Sequence, residues 1–394
     1  MRVTLISDEW RRNGGVASYL RRLAAALAAG GASVQVVHND RGARSEPGVR
    51  DDYVPGSTVY DQSSSRTASS AREAVEAVEA FAPDVVHVQS CNNFTLEAAL
   101  RARYRATKSL HVYDFCPSNT KYHHALEREC AHATSLRCLP RLAYKRCTTS
   151  RRPSVWLRMQ RRATDANRNN AAYHRVIVAS EHVRRQAIAT GYPPAQVAVV
   201  PYFVNAPAVE GDAEPRTILT AGRLTREKGF DLFIDALTHV PKPWRAIIAG
   251  DGMERAALEQ RAARAGLTGD IDFAGWQDET GMGALYARAS VVVMPSRWPE
   301  PSGIVGLEAM AHGRPVAAFA VGGIPEWLQD GVTGRLAVPG DSASLAAAIV
   351  TILSDPGAAS AMGAAGRGRA VDVFSAARHL TALNTLYGRL PPPA

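Results

Sequence analysis

An α/β fold with two doubly wound parallel-sheet domains is predicted by three features of this chain. Short β-branched runs alternate with helical patterns from one end to the other. Most of these runs stop at a glycine or a proline, as strands do where they turn into loops. The chain has 394 residues with 46% hydrophobic content, enough to bury two cores, and two domains are the natural division.

In the first half, residues 3–6 read as a strand that leads into a loop holding Asn13, Gly14 and Gly15, then into a helix over 16–29. Asn13 can cap that helix. Residues 34–37, 85–88, 109–112, 175–179 and 197–200 read as further strands. The Ser-rich stretch 61–70 reads as a mobile loop, and 205–215, rich in Ala, Pro and acid without periodicity, as an interdomain linker. The second half repeats the scheme. Strands over 217–221, 245–249, 271–273, 291–294 and 315–319 stop at Gly222, at Gly250-Asp251-Gly252, at Gly275-Trp276, at Pro295-Ser296 and at Gly322-Gly323. Ligands of open parallel sheets bind at the carboxyl ends of the strands, so these stops are expected to line one crevice. An amphipathic pattern over 374–387 closes the chain. The expected division is 1–205, a linker over 206–215, 216–372, and a last helix within 373–394.

The densest chemistry lies over 299–313, Pro-Glu-Pro-Ser-Gly-Ile-Val-Gly-Leu-Glu-Ala-Met-Ala-His-Gly. Glu300 sits in a Pro/Gly loop, and Glu308, eight residues on, lies on the apolar helix that follows. The helix start presents backbone N–H groups around Ser302, Gly303 and Ile304, a ready seat for phosphate. Two carboxylates that accept hydroxyl hydrogen bonds, flanking a phosphate seat, suit a sugar nucleotide. Upstream, the strand ending at Gly222 runs into Arg223-Leu224-Thr225-Arg226-Glu227-Lys228-Gly229 and then a helix over 230–237. Backbone dipoles alone cannot balance a diphosphate, and Arg223 and Lys228 are its natural partners. Read alone, that loop is equally well a solvated connector. Gly250-Asp251-Gly252 lacks the third glycine and the distant acid of a dinucleotide fingerprint. Trp276 is either a nucleotide contact or a core aromatic at a strand end.

The segment 299–313 resembles the Glu-x7-Glu motif of the retaining glycosyltransferases of family 4 (glycosyl transferases group 1), which have the GT-B fold, and the flanking Pro, Gly and Ala-Met-Ala match as well. The likeness extends over nearly the whole chain and is most specific over 222–334. It implies two Rossmann-like domains facing a central cleft, with the last helix crossing back to the first domain. It implies that Arg223 and Lys228 hold the donor diphosphate, Glu300 the transferred sugar and Glu308 the ribose, with Gly15, Gly222, Gly250, Trp276, Ser302, Gly303 and Ile304 around the donor. Gly14-Gly15 resembles the glycine pair whose backbone passes close to the donor phosphate, which only Gly permits cheaply. On the acceptor side it places Asn13, Gly14, His111 and Tyr113. Asp114 matches the family aspartate, counted with Glu300, Arg223 and Lys228 as catalytic. Tyr113 stands where the family usually has His. His111, two residues earlier, would share a strand face with Tyr113.

The implied activity is that of a hexosyltransferase moving a sugar from a nucleoside diphosphate to an acceptor hydroxyl by front-face substitution, without a catalytic metal. Uridine is the commonest donor base in the family, with guanosine the other candidate. The acceptor stays open among small molecules, glycans and lipid-linked sugars. A sugar-nucleotide epimerase of the same fold and a non-catalytic sugar-nucleotide-binding protein are the alternatives.

Two features fall outside this reading. Cys116, Cys130, Cys138 and Cys147 are four of five cysteines, gathered in a short polar segment. Four thiolates suit tetrahedral zinc, although no Cys-x2-Cys pair occurs. The net charge of +9 is concentrated: from Arg137 to Arg168 there are ten Lys or Arg and one acid, Asp165. That run can meet a membrane surface or an acidic acceptor, or stand as a solvated face, and no nucleic-acid module accompanies it. No apolar run approaches the ~20 residues that span a bilayer. The first residues already read as a strand without a signal-peptide layout, so the expected location is the cytosol, with membrane contact through 137–168 at its inner face.

Overall fold

The computed structural model describes residues 1–8, 10, 14–40, 46–59, 65–148, 150–207 and 213–392. Asn13, part of the 61–70 stretch and the middle of the 205–215 linker lie outside the described residues. Contacts divide the chain into two compact units. One holds 1–126, 130–201 and 376–394; the other holds 127–129 and 202–375.

The first unit is built on β1 (Arg2–Ser7), β2 (Ser33–His38), β3 (Val49–Tyr53), β4 (Val85–Ser90), β5 (Arg105–Leu110), β6 (Val176–Val178) and β7 (Val197–Val199). They form one sheet in the order β3-β2-β1-β4-β5-β6-β7, and every pair is parallel. Central strands buried on both faces must be apolar at successive positions. Val3, Leu5, Ile6, Val34, Val36, Val37, Val86 and Val88 are accordingly 2% exposed or less. The Gly15–Ala29 helix covers this sheet through Ala17, Leu20, Leu23, Ala24 and Leu27.

The second unit repeats the plan with β8 (Thr217–Ala221), β9 (Arg245–Ala249), β10 (Ile271–Gly275), β11 (Val291–Met294), β12 (Val316–Phe319) and β13 (Gly334–Ala337). The sheet order is β10-β9-β8-β11-β12-β13, again all parallel. Order reverses beside β8 and β11, the point at which a doubly wound sheet opens a crevice beyond its carboxyl ends. Two parallel α/β sheets are therefore what the alternating runs produce.

Three local expectations need correction. Residues 65–70 are the start of the Ser65–Phe81 helix, carried by Ala71, Ala74, Val75 and Val78 on its buried side. The strand expected over 109–112 is Arg105–Leu110, so His111 lies past its end. The edge strands β3 and β13 had no counterpart in the sequence reading. The last helix, Ala376–Gly388, belongs to the first unit. Its His379 Nε2 meets Tyr19 Oη at 3.0 Å and its Tyr387 Oη meets His87 Nδ1 at 2.7 Å. Among the described residues no single helix is long and apolar enough to cross a membrane.

Candidate active site

In the second unit the strand ends expected to line a crevice do stand side by side. Gly222 N donates to Ala249 O at 2.9 Å and Gly250 N to Gly275 O at 2.7 Å. Gly250 has φ +138°, and a Cβ there would come within 1.9 Å of Gly222 O, so a side chain is excluded where the two ends meet. The loop after β8 is held from below. Leu224 is fully buried, its N–H donates to Asp251 O, and its carbonyl accepts from Glu254 N–H. The loop then closes into a short 3-10 turn, Arg226–Lys228. Arg297 N–H donates to Glu227 O at 2.9 Å, and the Arg297 guanidinium clamps Asp231 at 2.7 Å from Nη2.

This scaffold delivers Lys228 to Glu300. Lys228 Nζ donates to Glu300 Oε1 at 2.7 Å, Ser296 Oγ donates to the same oxygen at 2.6 Å, and Nζ lies 5.4 Å from the Trp298 ring centre. Glu300 is 4% exposed. Burial pushes its carboxyl up, but the Lys228 charge and hydrogen bonds from Lys228, Ser296 and Trp298 outweigh burial and hold it below the usual carboxylate range. Its backbone is fixed too, since Gly323 N donates to Glu300 O at 2.7 Å. Gly322 packs so tightly beneath that a Cβ would lie 2.2 Å from Glu300 O.

Three residues on, Gly303 in a left-handed conformation opens the Ile304–Ala311 helix, with no side chain capping it. Trp327 Nε1 anchors the preceding turn at Ser302 O, 2.6 Å away. The helix carries half-buried Glu308, whose Oε2 accepts from Tyr286 Oη at 3.1 Å. Arg223 is exposed, with no side-chain partner among the described residues. Trp276 is 51% exposed, which removes the core reading of this aromatic. Ser296, expected only as a strand stop, and Tyr286, which had no place in the sequence reading, orient the two glutamates.

In the first unit, Gly14 precedes the Gly15–Ala29 helix, and a Cβ on Gly14 would meet nothing within 4 Å. His111 and Tyr113 do not share a strand face, because β5 has already ended. His111 Nε2 meets Gln89 Oε1 at 2.9 Å, its ring packs on Tyr19, and burial pushes its pKa down to about 3. Tyr113 is fully buried against Phe115 and His182. Asp114 is half-buried. Burial raises its pKa, against the opposing pull of Lys108 and Arg162. Behind it lies an unanticipated buried ion pair, Lys108 Nζ to Glu97 Oε1 at 2.9 Å, completed by Asn169 and Tyr173.

The cysteines are all free thiols. Cys116, Cys130, Cys138 and Cys147 lie near enough that burial first, and then the other three, raise Cys147 to about 12. His123 Nδ1 and Arg141 O, at 2.9 and 3.4 Å, already occupy Cys147 Sγ, and Ser118 Oγ meets Cys116 Sγ. Among the described residues no three His, Cys, Asp or Glu side chains assemble as a metal-holding group, so the four-thiolate zinc set is not formed.

Comparison with known proteins places this geometry. Residues 205–369 match the family glycosyl transferases group 1, and residues 14–202 match the glycosyl transferase 4-like domain. The chain belongs to glycosyltransferase family 4. Glycogen synthase of Mycobacterium tuberculosis (strain CDC 1551 / Oshkosh) is 36% identical to this chain over 179 residues, which cover 44% of the chain and 42% of that relative's length. Among solved structures, sucrose-phosphate synthase from Thermosynechococcus elongatus aligns with TM-score 0.75 at 24% identity, covering 99% of both chains. HepE of Anabaena, in complex with UDP and glucose, aligns with TM-score 0.76 at 21% identity, covering 98% of this chain and 100% of that one. Those structures share the two-sheet GT-B fold.

Proposed function

We propose that this chain moves a sugar from a nucleoside diphosphate to an acceptor hydroxyl with retention at the anomeric carbon. The observation that carries the proposal is the Lys228–Glu300 pair, seated at a strand end beside an uncapped helix start. A cation, a row of backbone N–H groups and a carboxylate are what a diphosphate joined to a polyol requires.

In the proposed step the bond from the anomeric carbon to the phosphate oxygen breaks. Lys228, Arg223 and the N–H groups around Ser302, Gly303 and Ile304 balance the charge that develops on the leaving diphosphate. The acceptor oxygen bonds to the same face of the sugar, and its proton passes to the departing phosphate. Glu300 holds hydroxyls of the transferred sugar. Glu308, set by Tyr286, holds the ribose. Trp276 and Gly275 lie by the base, and Asp114 serves the acceptor side. No step needs a metal. The UDP in the HepE complex and the glycogen synthase likeness favour UDP over GDP and a hexose as the cargo.

The test is turnover of UDP-glucose and GDP-mannose, with and without an acceptor mixture, followed by nucleotide release and by NMR of the anomeric centre. Acceptor-dependent release with retained configuration is expected. Inversion would overturn the stereochemical assignment, and acceptor-independent interconversion of nucleotide sugars would make the protein an epimerase.

A further inference from the structure

The start of the Ile304–Ala311 helix is held by residues further along the chain. A turn at Gly322-Gly323 leads into a four-residue helix, Ile324–Trp327, and this segment grips the 300–303 loop at both of its ends. Gly323 N–H donates to Glu300 O at 2.7 Å, and Trp327 Nε1 donates to Ser302 O at 2.6 Å. Trp327 and Ser302 are 2% and 4% exposed, so this second bond is made away from water, where breaking it leaves a buried polar group unpaired. The indole also fills the space under the first helical turn. Its six-membered ring lies 3.6 Å from where a Gly303 Cβ would stand, and a Cβ on Gly306 would run into it. Glycine is unfavourable inside a helix, and here the ring requires it.

Trp327 is itself fixed from behind. A four-residue helix leaves its last carbonyls without intrahelical partners. Arg369 supplies them: Nη2 donates to Glu326 O at 3.0 Å and Nε to Trp327 O at 3.1 Å. One guanidinium fork thus holds the Trp327 backbone, while Ser302 O holds its indole. The consequence is directional. The Ser302–Gly303 peptide is trans, so its C=O and N–H point in opposite directions. With the carbonyl drawn to the indole, the Gly303 N–H faces away from Trp327, at a helix start that no side chain caps.

We propose that Trp327 is a positioning residue for the leaving diphosphate. Its indole N–H, held in place by Arg369, fixes the Ser302–Gly303 peptide so that the Gly303 N–H is aimed at a phosphate oxygen before the donor arrives. This rests on the donor reading given under Proposed function. A donor set in advance needs no reorganisation as charge develops on the leaving group. Trp327 and Arg369 act through that one peptide, and their loss should be felt by the diphosphate and not by the nucleoside.

The test crosses stability against affinity in the full chain. Trp327→Phe keeps a ring under the helix and removes the N–H. Trp327→His returns an N–H at the matching ring position, imidazole Nε2 for indole Nε1, and loses the six-membered ring. Both variants should melt below the wild type, because each leaves a cavity. Calorimetric titration with UDP and GDP, and with uridine and guanosine, then reads the site. For whichever diphosphate binds the wild type more tightly, Trp327→Phe should lose about tenfold and Trp327→His should stay within about threefold, while nucleoside affinity stays within about twofold in both. Arg369→Lys, a milder change at a half-buried position, cannot span two carbonyls and should lose about threefold for the diphosphate alone. It carries the test if the Trp327 variants fail to fold. A loss in Trp327→His as large as in Trp327→Phe would make Trp327 a packing residue only and overturn the proposal. So would unchanged diphosphate affinity in Trp327→Phe or, failing that variant, in Arg369→Lys. A wild type that binds neither diphosphate more tightly than its nucleoside would remove the donor reading itself, and the proposal with it.

Discussion

Replacing Lys228 with alanine isolates the interaction on which the site is built. In the wild type, Glu300 is 4% exposed, and against its burial the Lys228 ammonium 2.7 Å away does most to keep its carboxyl low, with hydrogen bonds from Ser296 and Trp298 adding to it. Lys228→Ala leaves Ser296 as a neutral donor to a buried anion. Breaking a fully buried pair costs ~3–5 kcal/mol, and with the Lys228 side chain 24% exposed the cost here should be about 2 kcal/mol. For a unit of this size that is a fall in Tm of roughly 4–8 °C. The sign of the pH dependence follows. In the wild type Glu300 titrates below its unfolded value of 4.5, so it stabilises the fold above that pH and the gain is lost as pH falls through its folded value. In the variant only the Ser296 and Trp298 hydrogen bonds oppose burial, and the folded value rises. The Tm gap between the two proteins should be full near neutrality and close as both carboxyls protonate. Lys228→Ala with Glu300→Gln should recover most of the loss, because no buried charge is left alone. Scanning calorimetry of the four proteins of this cycle from neutral to acid pH provides the check. Lys228→Ala within about 0.5 kcal/mol of wild type, or a gap that does not change with pH, would show that the buried pair does not hold the site together.

Gly322→Ala should destabilise the second unit by more than about 2 kcal/mol and depress turnover. Its φ is +58° and the new Cβ would press on the Glu300 backbone, and urea denaturation reads the cost. Tyr286→Phe should weaken nucleoside diphosphate binding about fivefold in calorimetry, the worth of one hydrogen bond to Glu308, without loss of fold. The first unit should lose stability in mild acid. Burial holds His87 well below 6.5, His111 at about 3 and His379 at about 4, so the unfolded chain takes up protons first. The histidine contribution is full above about 6.5 and falls by ~1.4 kcal/mol per pH unit for each histidine as pH drops towards those values. A melting profile against pH, compared with that of His379→Gln, which should be shallower, tests it.

Much of this molecule was legible because its strands are fully buried. Val3 to Ile6, Ile218 and Leu219, and Val291 to Val293 read as apolar runs because both faces of each sheet are covered. The edge strands were not legible for the opposite reason. β3 carries Asp51 and Asp52, half-exposed at the rim, and β13 begins at a glycine with partly exposed residues behind it. The start of the Ser65–Phe81 helix was hidden because its apolar period begins only at Ala71. At the site, the spacing of Glu300 and Glu308 and the loop bearing Arg223 and Lys228 are local and could be read directly. Tyr286 reaches Glu308 across 22 residues through folding, and Ser296 reaches Glu300 within one irregular loop, and no periodicity marks either partner. His111 was misread as part of a strand because a break after Leu110 leaves no trace in composition.

The proposed transfer requires the strand ends and helix start of the second unit to hold a diphosphate through Arg223 and Lys228. The most direct measurement is calorimetric titration of the wild type, Arg223→Ala and Lys228→Ala with UDP, GDP, ADP and TDP and with the matching nucleosides. At least one diphosphate, UDP first, is expected to bind the wild type. Each variant should lose about tenfold or more for that diphosphate, as expected when a charge-assisted bond to phosphate is removed, while its affinity for the nucleoside stays within about twofold. Equal losses for diphosphate and nucleoside, or no binding of any of the four diphosphates to the wild type, would contradict it.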